Sequence, residues 1–262
     1  MRGRGKVRLA PRGRPATASG GKMQTPSSPD VTTVESRLAS SLERVNLRVD
    51  PSQRRSLARY VVLLAQWNRA YNLTAIRDPF AMIDRHVLDS LAAVDFLAGG
   101  RLLDVGTGAG LPGLVLAVVR PDVRCTLLDP VRKKTRFCAH AAMTLGLDNV
   151  EVVSERLAMH RPAHRYSTVI SRAALTLAEL VAGARPLLEP SGRIVAMKGP
   201  RSEEELVEIR ESCREGLEIR VEPARIGAWS PAATLVLVDL VGRADGVAAR
   251  GDVTIGRPLT LP

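Results

Sequence analysis

The spacing of apolar residues divides the chain into a helical first part and an alternating second part. Between residues 34 and 98 the apolar positions recur three and four apart, which predicts three helices. Two of them start at Asp-Pro pairs, Asp50-Pro51 and Asp78-Pro79, where aspartate can cap the helix and proline fits its first turn. In the rest of the chain, short apolar runs alternate with amphipathic stretches, which is typical of parallel sheets.

The alternating part predicts a Rossmann-like α/β fold, with a seven-stranded and mostly parallel sheet. No helix is expected between the last two strands, so they should form an antiparallel pair at one edge. This arrangement favours the class I methyltransferase fold over a dinucleotide-binding one. The strands are predicted near 101–105, 123–128, 150–153, 167–171, 192–197, 217–222 and 233–240. The helices between them are predicted near 111–119, 131–146, 174–186 and 202–213.

Four segments follow from this pattern. They are a basic, disordered segment (1–33), a helical subdomain (34–98), a cofactor-binding methyltransferase domain (99–242) and a C-terminal tail (243–262). The formal net charge is +11, and residues 1–22 hold seven Lys and Arg residues and no acid. That stretch is interpreted either as an arm for RNA or as an extension ahead of a start at Met23.

Composition excludes several classes of protein. No run of 18 apolar residues and no apolar secretory signal is present, so we expect a cytoplasmic protein with no membrane partner. The three cysteines are widely spaced, and they match neither a disulfide framework nor a metal template. We expect a monomer without a metal.

A glycine-rich turn after the first strand is the strongest signal of a ligand. Gly106, Gly108 and Gly110 follow Asp104 in the pattern Asp-x-Gly-x-Gly-x-Gly, and glycines allow a backbone to approach a ligand closely. A dinucleotide fingerprint needs its third glycine where this chain has Leu111. The spacing therefore predicts S-adenosylmethionine (SAM). Asp104 could hold the loop amides or the amino group of the methionine part.

Four further polar residues follow strand ends, where ligands bind in such folds. Asp129 could accept hydrogen bonds from ribose hydroxyls or only cap the next helix. Glu155 could bind adenine or lie on a solvated surface. Arg172 could bind the SAM carboxylate or an RNA phosphate, or form a structural ion pair. Lys198 could bind phosphate or be solvated.

Missing motifs narrow the chemistry. The sequence has no Asn/Asp-Pro-Pro-aromatic motif for holding an exocyclic amine and no Pro-Cys at a strand end, and its four histidines form no cluster. Guanine N7 has a free lone pair and loses no proton on alkylation. Methyl transfer to it needs only alignment and exclusion of water, so no catalytic residue is predicted.

Five sequence blocks resemble one family. They are Trp67–Ile76, Arg85–Leu91, Leu103–Gly113, Ile170–Ala173 and Met197–Gly199. In this order they resemble the RsmG (GidB) family of bacterial small-subunit rRNA guanine-N7 methyltransferases. The resemblance implies that SAM is the methyl donor and that a guanine in the 530 loop of 16S rRNA is the acceptor. The substrate is either naked rRNA or the small subunit.

The resemblance also implies SAM contacts at Gly106, Leu111, Leu157, Ala158 and Arg172. Family members usually carry an acid at the position of Ala158, so Glu155 could substitute for it, or backbone contacts could suffice.

For the RNA, we expect contacts at Asn72, Arg85, His86, Arg172 and Lys198; packing against the sheet is the alternative for the blocks that hold the first three. The sequence is also compatible with two other functions. One is a non-catalytic RNA-binding or ribosome-assembly protein on the same fold, and the other is a NAD-linked dehydrogenase.

Overall fold

The computed structural model describes residues 30–172, 174–199, 203–212, 216–225 and 234–240. The predicted basic segment, apart from its last four residues, and the predicted tail lie outside these residues. Among the described helices, none is both long and apolar enough to cross a membrane.

The described part contains eight α-helices and seven strands. The helices are α1 Val31–Arg44, α2 Pro51–Tyr71, α3 Pro79–Met82, α4 Asp89–Leu91, α5 Gly113–Val119, α6 Arg132–Leu145, α7 Leu177–Ala184 and α8 Glu203–Ser212. The strands are β1 Arg101–Val105, β2 Arg124–Leu128, β3 Val150–Val153, β4 Tyr166–Arg172, β5 Leu188–Lys198, β6 Leu217–Pro223 and β7 Thr234–Leu240. Each predicted strand is present.

The sheet order is β3-β2-β1-β4-β5-β7-β6. The first five strands are parallel, and β7 runs antiparallel to both β5 and β6. This confirms the mostly parallel sheet with a terminal antiparallel pair. The centre of β7 is buried from Leu235 to Val238, because the strand lies inside the sheet, whereas β6 forms the edge.

Helix caps explain several of the helical starts. Asp50 accepts the Ser52 amide and forms a capping box with Gln53, and Asp78 accepts the amides of Phe80 and Ala81. The first helix begins at Val31, three residues before its predicted start, because Asp30 caps it.

The third helix departs from the prediction. The sequence predicts one helix from Asp78 to about Leu97, but the structure breaks it into α3, a π-helical segment Ile83–Leu88, α4 and a 3₁₀ turn Val94–Phe96. The apolar spacing is satisfied by each of these geometries, so it does not distinguish them.

Two apolar clusters cover the two faces of the sheet. The larger one joins α1–α4 to α5 and α6, so the N-terminal helices share their core with the sheet. The smaller one packs α7 and α8 on the other face. The N-terminal helices are thereby fixed beside the carboxyl ends of the central strands.

Candidate functional site

The glycine loop after β1 is held tightly against the end of β2. The amides of Gly106 and Thr107 donate to the Leu128 carbonyl, at 2.8 and 3.1 Å. Gly106 has φ +68°, and a Cβ placed on it would lie 2.2 Å from the Cβ of Ala174. Glycine is required here because the backbone passes directly against the segment that follows β4.

Asp104 organises this loop from inside. Its Oδ2 accepts the Thr107 hydroxyl at 2.6 Å and the Gly113 amide at 2.8 Å. Its Oδ1 is buried and has no hydrogen-bond partner among the described residues. Burial raises the pKa of this carboxyl to about 6. The loop-holding role predicted for Asp104 is therefore present.

Asp129 bridges the glycine loop and the start of α6. Its Oδ2 accepts the Gly108 amide at 3.0 Å and lies 3.4 Å from the Lys134 ammonium, while Oδ1 accepts the Val131 amide at 2.9 Å. The capping alternative for Asp129 is wrong, because α6 begins at Arg132 and its N-cap, Val131, has no side-chain cap. The Asp129 carboxylate lines a cavity instead.

That cavity has a volume of about 1360 Å³ and lies beside the carboxyl ends of β1, β2 and β3. Its lining includes residues of the glycine loop, of the segment after β2 and of the loop after β3: Gly106, Asp129, Pro130, Val131, Lys134, Glu155, Leu157 and Ala158. Apolar walls with a few polar groups are typical of a nucleoside site. This lining fits SAM, which presents adenine and ribose hydroxyls.

The predicted cofactor residues divide into two sets. Gly106, Asp129, Leu157 and Ala158 lie on the cavity wall. The remaining predicted residues do not line it: Asp104, Gly108, Leu111 and Arg172. Leu111 is buried in the larger apolar cluster, so its side chain supports the loop from behind.

The loop after β3 carries a chain of side-chain hydrogen bonds. Glu155 Oε1 lies 2.6 Å from His160 Nδ1, and His160 Nε2 lies 2.9 Å from the Tyr166 hydroxyl. His160 is buried, whereas the Glu155 side chain is 36% exposed and lines the cavity. Glu155 is therefore anchored by the imidazole beside the cavity, rather than lying free on a solvated surface.

A second network joins the N-terminal helices to the end of β4. Arg172 contacts His86 Nδ1 and the Arg85 carbonyl, both at 3.4 Å. His86 Nε2 lies 2.8 Å from the Thr74 hydroxyl, and Asn68 accepts the Thr74 amide at 2.9 Å. Burial and the Arg172 charge lower the pKa of His86 to about 4, so the ring is neutral near pH 7.

The residues predicted to bind RNA differ in their exposure and in their contacts. Arg85 is exposed, and His86 is buried against Arg172. Asn72 is exposed and ends α2 in the left-handed conformation, with its side chain accepting from Arg77.

The predictions for Lys198 are wrong. It is buried, and its ammonium donates to the Leu175 carbonyl at 2.7 Å and to Glu205 Oε2 at 2.8 Å. It is therefore neither a solvated lysine nor free to bind a phosphate.

Tyr60 is a site residue that the sequence did not single out. Its buried hydroxyl donates to the Ala109 carbonyl at 2.7 Å, so α2 reaches directly to the glycine loop. The two residues are 49 positions apart, and an aromatic residue in an apolar stripe gives no signal of such a contact. Cys138 approaches the same loop, with its Sγ 3.5 Å from the Gly108 carbonyl.

Comparisons with known proteins identify the family of the chain. Residues 53–221 match the GidB family model, described as rRNA small subunit methyltransferase G. Proteins named ribosomal RNA small subunit methyltransferase G from Nitrosococcus oceani and Halorhodospira halophila are 47% and 45% identical to the chain over 172 and 190 residues. These alignments cover 66% and 72% of this chain and 80% and 90% of the relatives.

Among solved structures, a methyltransferase from Geobacter sulfurreducens is similar at a TM-score of 0.52. It is 17% identical, and the alignment covers 78% of this chain and 98% of that one. This likeness confirms the predicted fold class.

Proposed function

The chain belongs to the GidB family, and from that premise we propose that it methylates N7 of a guanine in the 530 loop of 16S rRNA, using SAM as the donor. Family membership supports the transfer of a methyl group from SAM to rRNA. The atom and the loop rest on the sequence resemblance and on the chemistry of the site.

One observation supports the cofactor assignment most directly. The glycine loop, Asp104 and Asp129 converge at the carboxyl ends of β1 and β2, beside a cavity with apolar walls. A ligand held there meets backbone that Gly106 allows to approach closely. When bound, SAM supplies an electrophilic methyl group on a sulfonium.

The side chains near the site favour an acceptor that needs no activation. Burial raises the pKa of Cys125 to about 12 and raises that of Cys138 as well, so neither thiol is a nucleophile near pH 7. His86 is buried and engaged by Arg172 and Thr74, which makes it a poor general base. Guanine N7 attacks with its own lone pair and requires neither group.

The protein's contribution is therefore binding and alignment. The glycine loop and Asp129 would hold the donor, and the buried Asp104 carboxylate behind the loop would favour a positive charge there. Arg172 carries its guanidinium at the end of β4, beside the N-terminal helices, where it can neutralise a carboxylate or an RNA phosphate. The exposed Arg85 next to it extends the positive surface toward RNA.

The test is transfer of a labelled methyl group to small ribosomal subunits and to naked 16S rRNA, each isolated from cells that lack this modification, followed by mapping of the labelled base. We expect label at N7 of one guanine in the 530 loop, and none with the Gly106→Val variant. Label at an exocyclic amine or a carbon would overturn the N7 assignment. Binding of rRNA without any transfer would favour the non-catalytic alternative, and thermal protection by NAD instead of SAM would favour a dehydrogenase.

A further inference from the structure

Three acidic residues line the described cavity, and they differ in how many partners they already have. The carboxylate of Asp129 holds the amides of Gly108 and Val131 and the Lys134 ammonium. Glu179 is occupied at the start of α7, where its Oε2 accepts the amide and hydroxyl of Thr176. Among the described residues, Glu155 contacts one group, His160, through Oε1, whereas Asp129 and Glu179 each accept from two or more groups.

The hydrogens of this contact can be assigned from the donor and acceptor groups. An ionised carboxylate only accepts, so His160 Nδ1 carries the hydrogen that it donates to Glu155. The other ring nitrogen, Nε2, lies 2.9 Å from the Tyr166 hydroxyl, so both nitrogens of His160 are engaged. Burial raises the pKa of Tyr166, which keeps that hydroxyl protonated as a donor. The chain of bonds fixes Oε1 and leaves Oε2 for a ligand.

The surroundings of Glu155 indicate what that ligand is. Apolar residues from two loops line the same part of the cavity: Pro130, Val131, Leu157 and Ala158. Apolar walls suit the faces of an aromatic ring, and a carboxylate beside them suits a donor on the ring's edge. Adenine has such a donor in its 6-amino group, whereas hypoxanthine has an oxygen at that position.

We infer that Glu155, positioned by His160, accepts a hydrogen bond from the adenine 6-amino group of the cofactor. The inference rests on the proposed function, because that function supplies the ligand. His160 is the positioning residue, and Glu155 is the residue that touches the cofactor.

The experiment is calorimetric binding of S-adenosylhomocysteine and of its hypoxanthine analogue to the full chain. Hydrogen bonds to charged groups contribute enough that we expect the wild type to prefer adenine by about 10- to 100-fold. In Glu155→Gln the amide can turn either its oxygen or its nitrogen to the base, so the preference should fall to about threefold or less.

His160→Phe removes the donor to Glu155 and should reduce the preference similarly. His160→Asn restores a donor near the Nδ1 position and should recover part of it. Glu151→Gln, which changes an exposed acid on β3, is the matched control and should retain the wild-type preference. Thermal unfolding of every variant reports whether the fold is intact.

The outcomes separate this inference from the proposed function. An unchanged adenine preference in Glu155→Gln would overturn the inference. An equal loss of affinity for both ligands would overturn it as well, because that result is expected if Glu155 only stabilises the loop. Wild-type protein that binds neither ligand would overturn the proposed function as well. Loss of the preference with rRNA methylation retained would support both.

Discussion

The two sides of the cofactor cavity are built in different ways. On one side, the glycine loop is held by backbone hydrogen bonds and by the buried residues Asp104 and Tyr60. On the other side, the loop after β3 has only one short 3₁₀ turn, Leu157–Met159, and is held through the side chains of Glu155 and His160. Substitutions on the first side should disturb both binding and folding, whereas those on the second should change mainly ligand preference.

The largest expected effect comes from Gly106→Ala on the glycine-loop side. The new Cβ would lie 2.2 Å from the Ala174 Cβ at a positive φ, so the loop must move. We expect a weakening of S-adenosylhomocysteine binding by about 3 kcal/mol, or roughly 100-fold, by calorimetry. Gly108→Ala is the control, since it shares the positive φ but places its Cβ 3.8 Å from the nearest atom. Equal losses in the two variants would contradict this account of Gly106.

Tyr60→Phe should follow, because it leaves the buried Ala109 carbonyl without its donor. The expected loss is about 1–3 kcal/mol in the free energy of unfolding, measured by urea denaturation, together with weaker ligand binding. Tyr71→Phe is the matched control, since Tyr71 is 40% exposed. If ligand binding survives unchanged in Tyr60→Phe, then α2 does not support the glycine loop.

Asp104 provides a pH test of the same side. Its pKa is raised to about 6 in the folded chain, so the native state binds the proton more tightly than the unfolded state does. This group therefore reduces stability as pH rises from about 4 to 6. A cationic ligand prefers the ionised form, so SAM binding should strengthen about tenfold from pH 5 to 7. Asp104→Asn keeps an acceptor for Gly113 and should remove most of that dependence; a retained tenfold change would point to another group.

The smallest effect is expected on the opposite side, from Ala158→Glu. This adds a second acid, on an exposed residue that lines the cavity. Because Glu155 already offers a carboxylate nearby, we expect S-adenosylhomocysteine affinity to change by less than about threefold, within the usual range for surface substitutions. An increase in S-adenosylhomocysteine affinity of tenfold or more by calorimetry would show that the site lacks a hydrogen-bond acceptor. Substitutions on both sides of the cavity would then have large effects on binding.

The same contrast explains what the sequence could predict. The strands and the glycine loop follow from local apolar spacing and from glycine positions, and the structure contains them where they were expected. The contacts between Arg172 and His86 and between Tyr60 and Ala109 join residues far apart in the chain, so no local pattern encodes them. Lys198 shows the converse error, because a lysine at a strand end gives no sign of a buried acceptor such as Glu205.

The position of β7 has a consequence for how the protein is made. Strand β5 pairs with β7 along Arg193–Lys198, and residues 234–240 must be synthesised before that pairing can form. A growing chain that has not reached Thr234 therefore presents β5 as an open strand edge with apolar residues, a surface prone to pairing with other chains. Completion of the sheet therefore waits for residues 234–240, and until they pair the edge of β5 stays exposed to other chains.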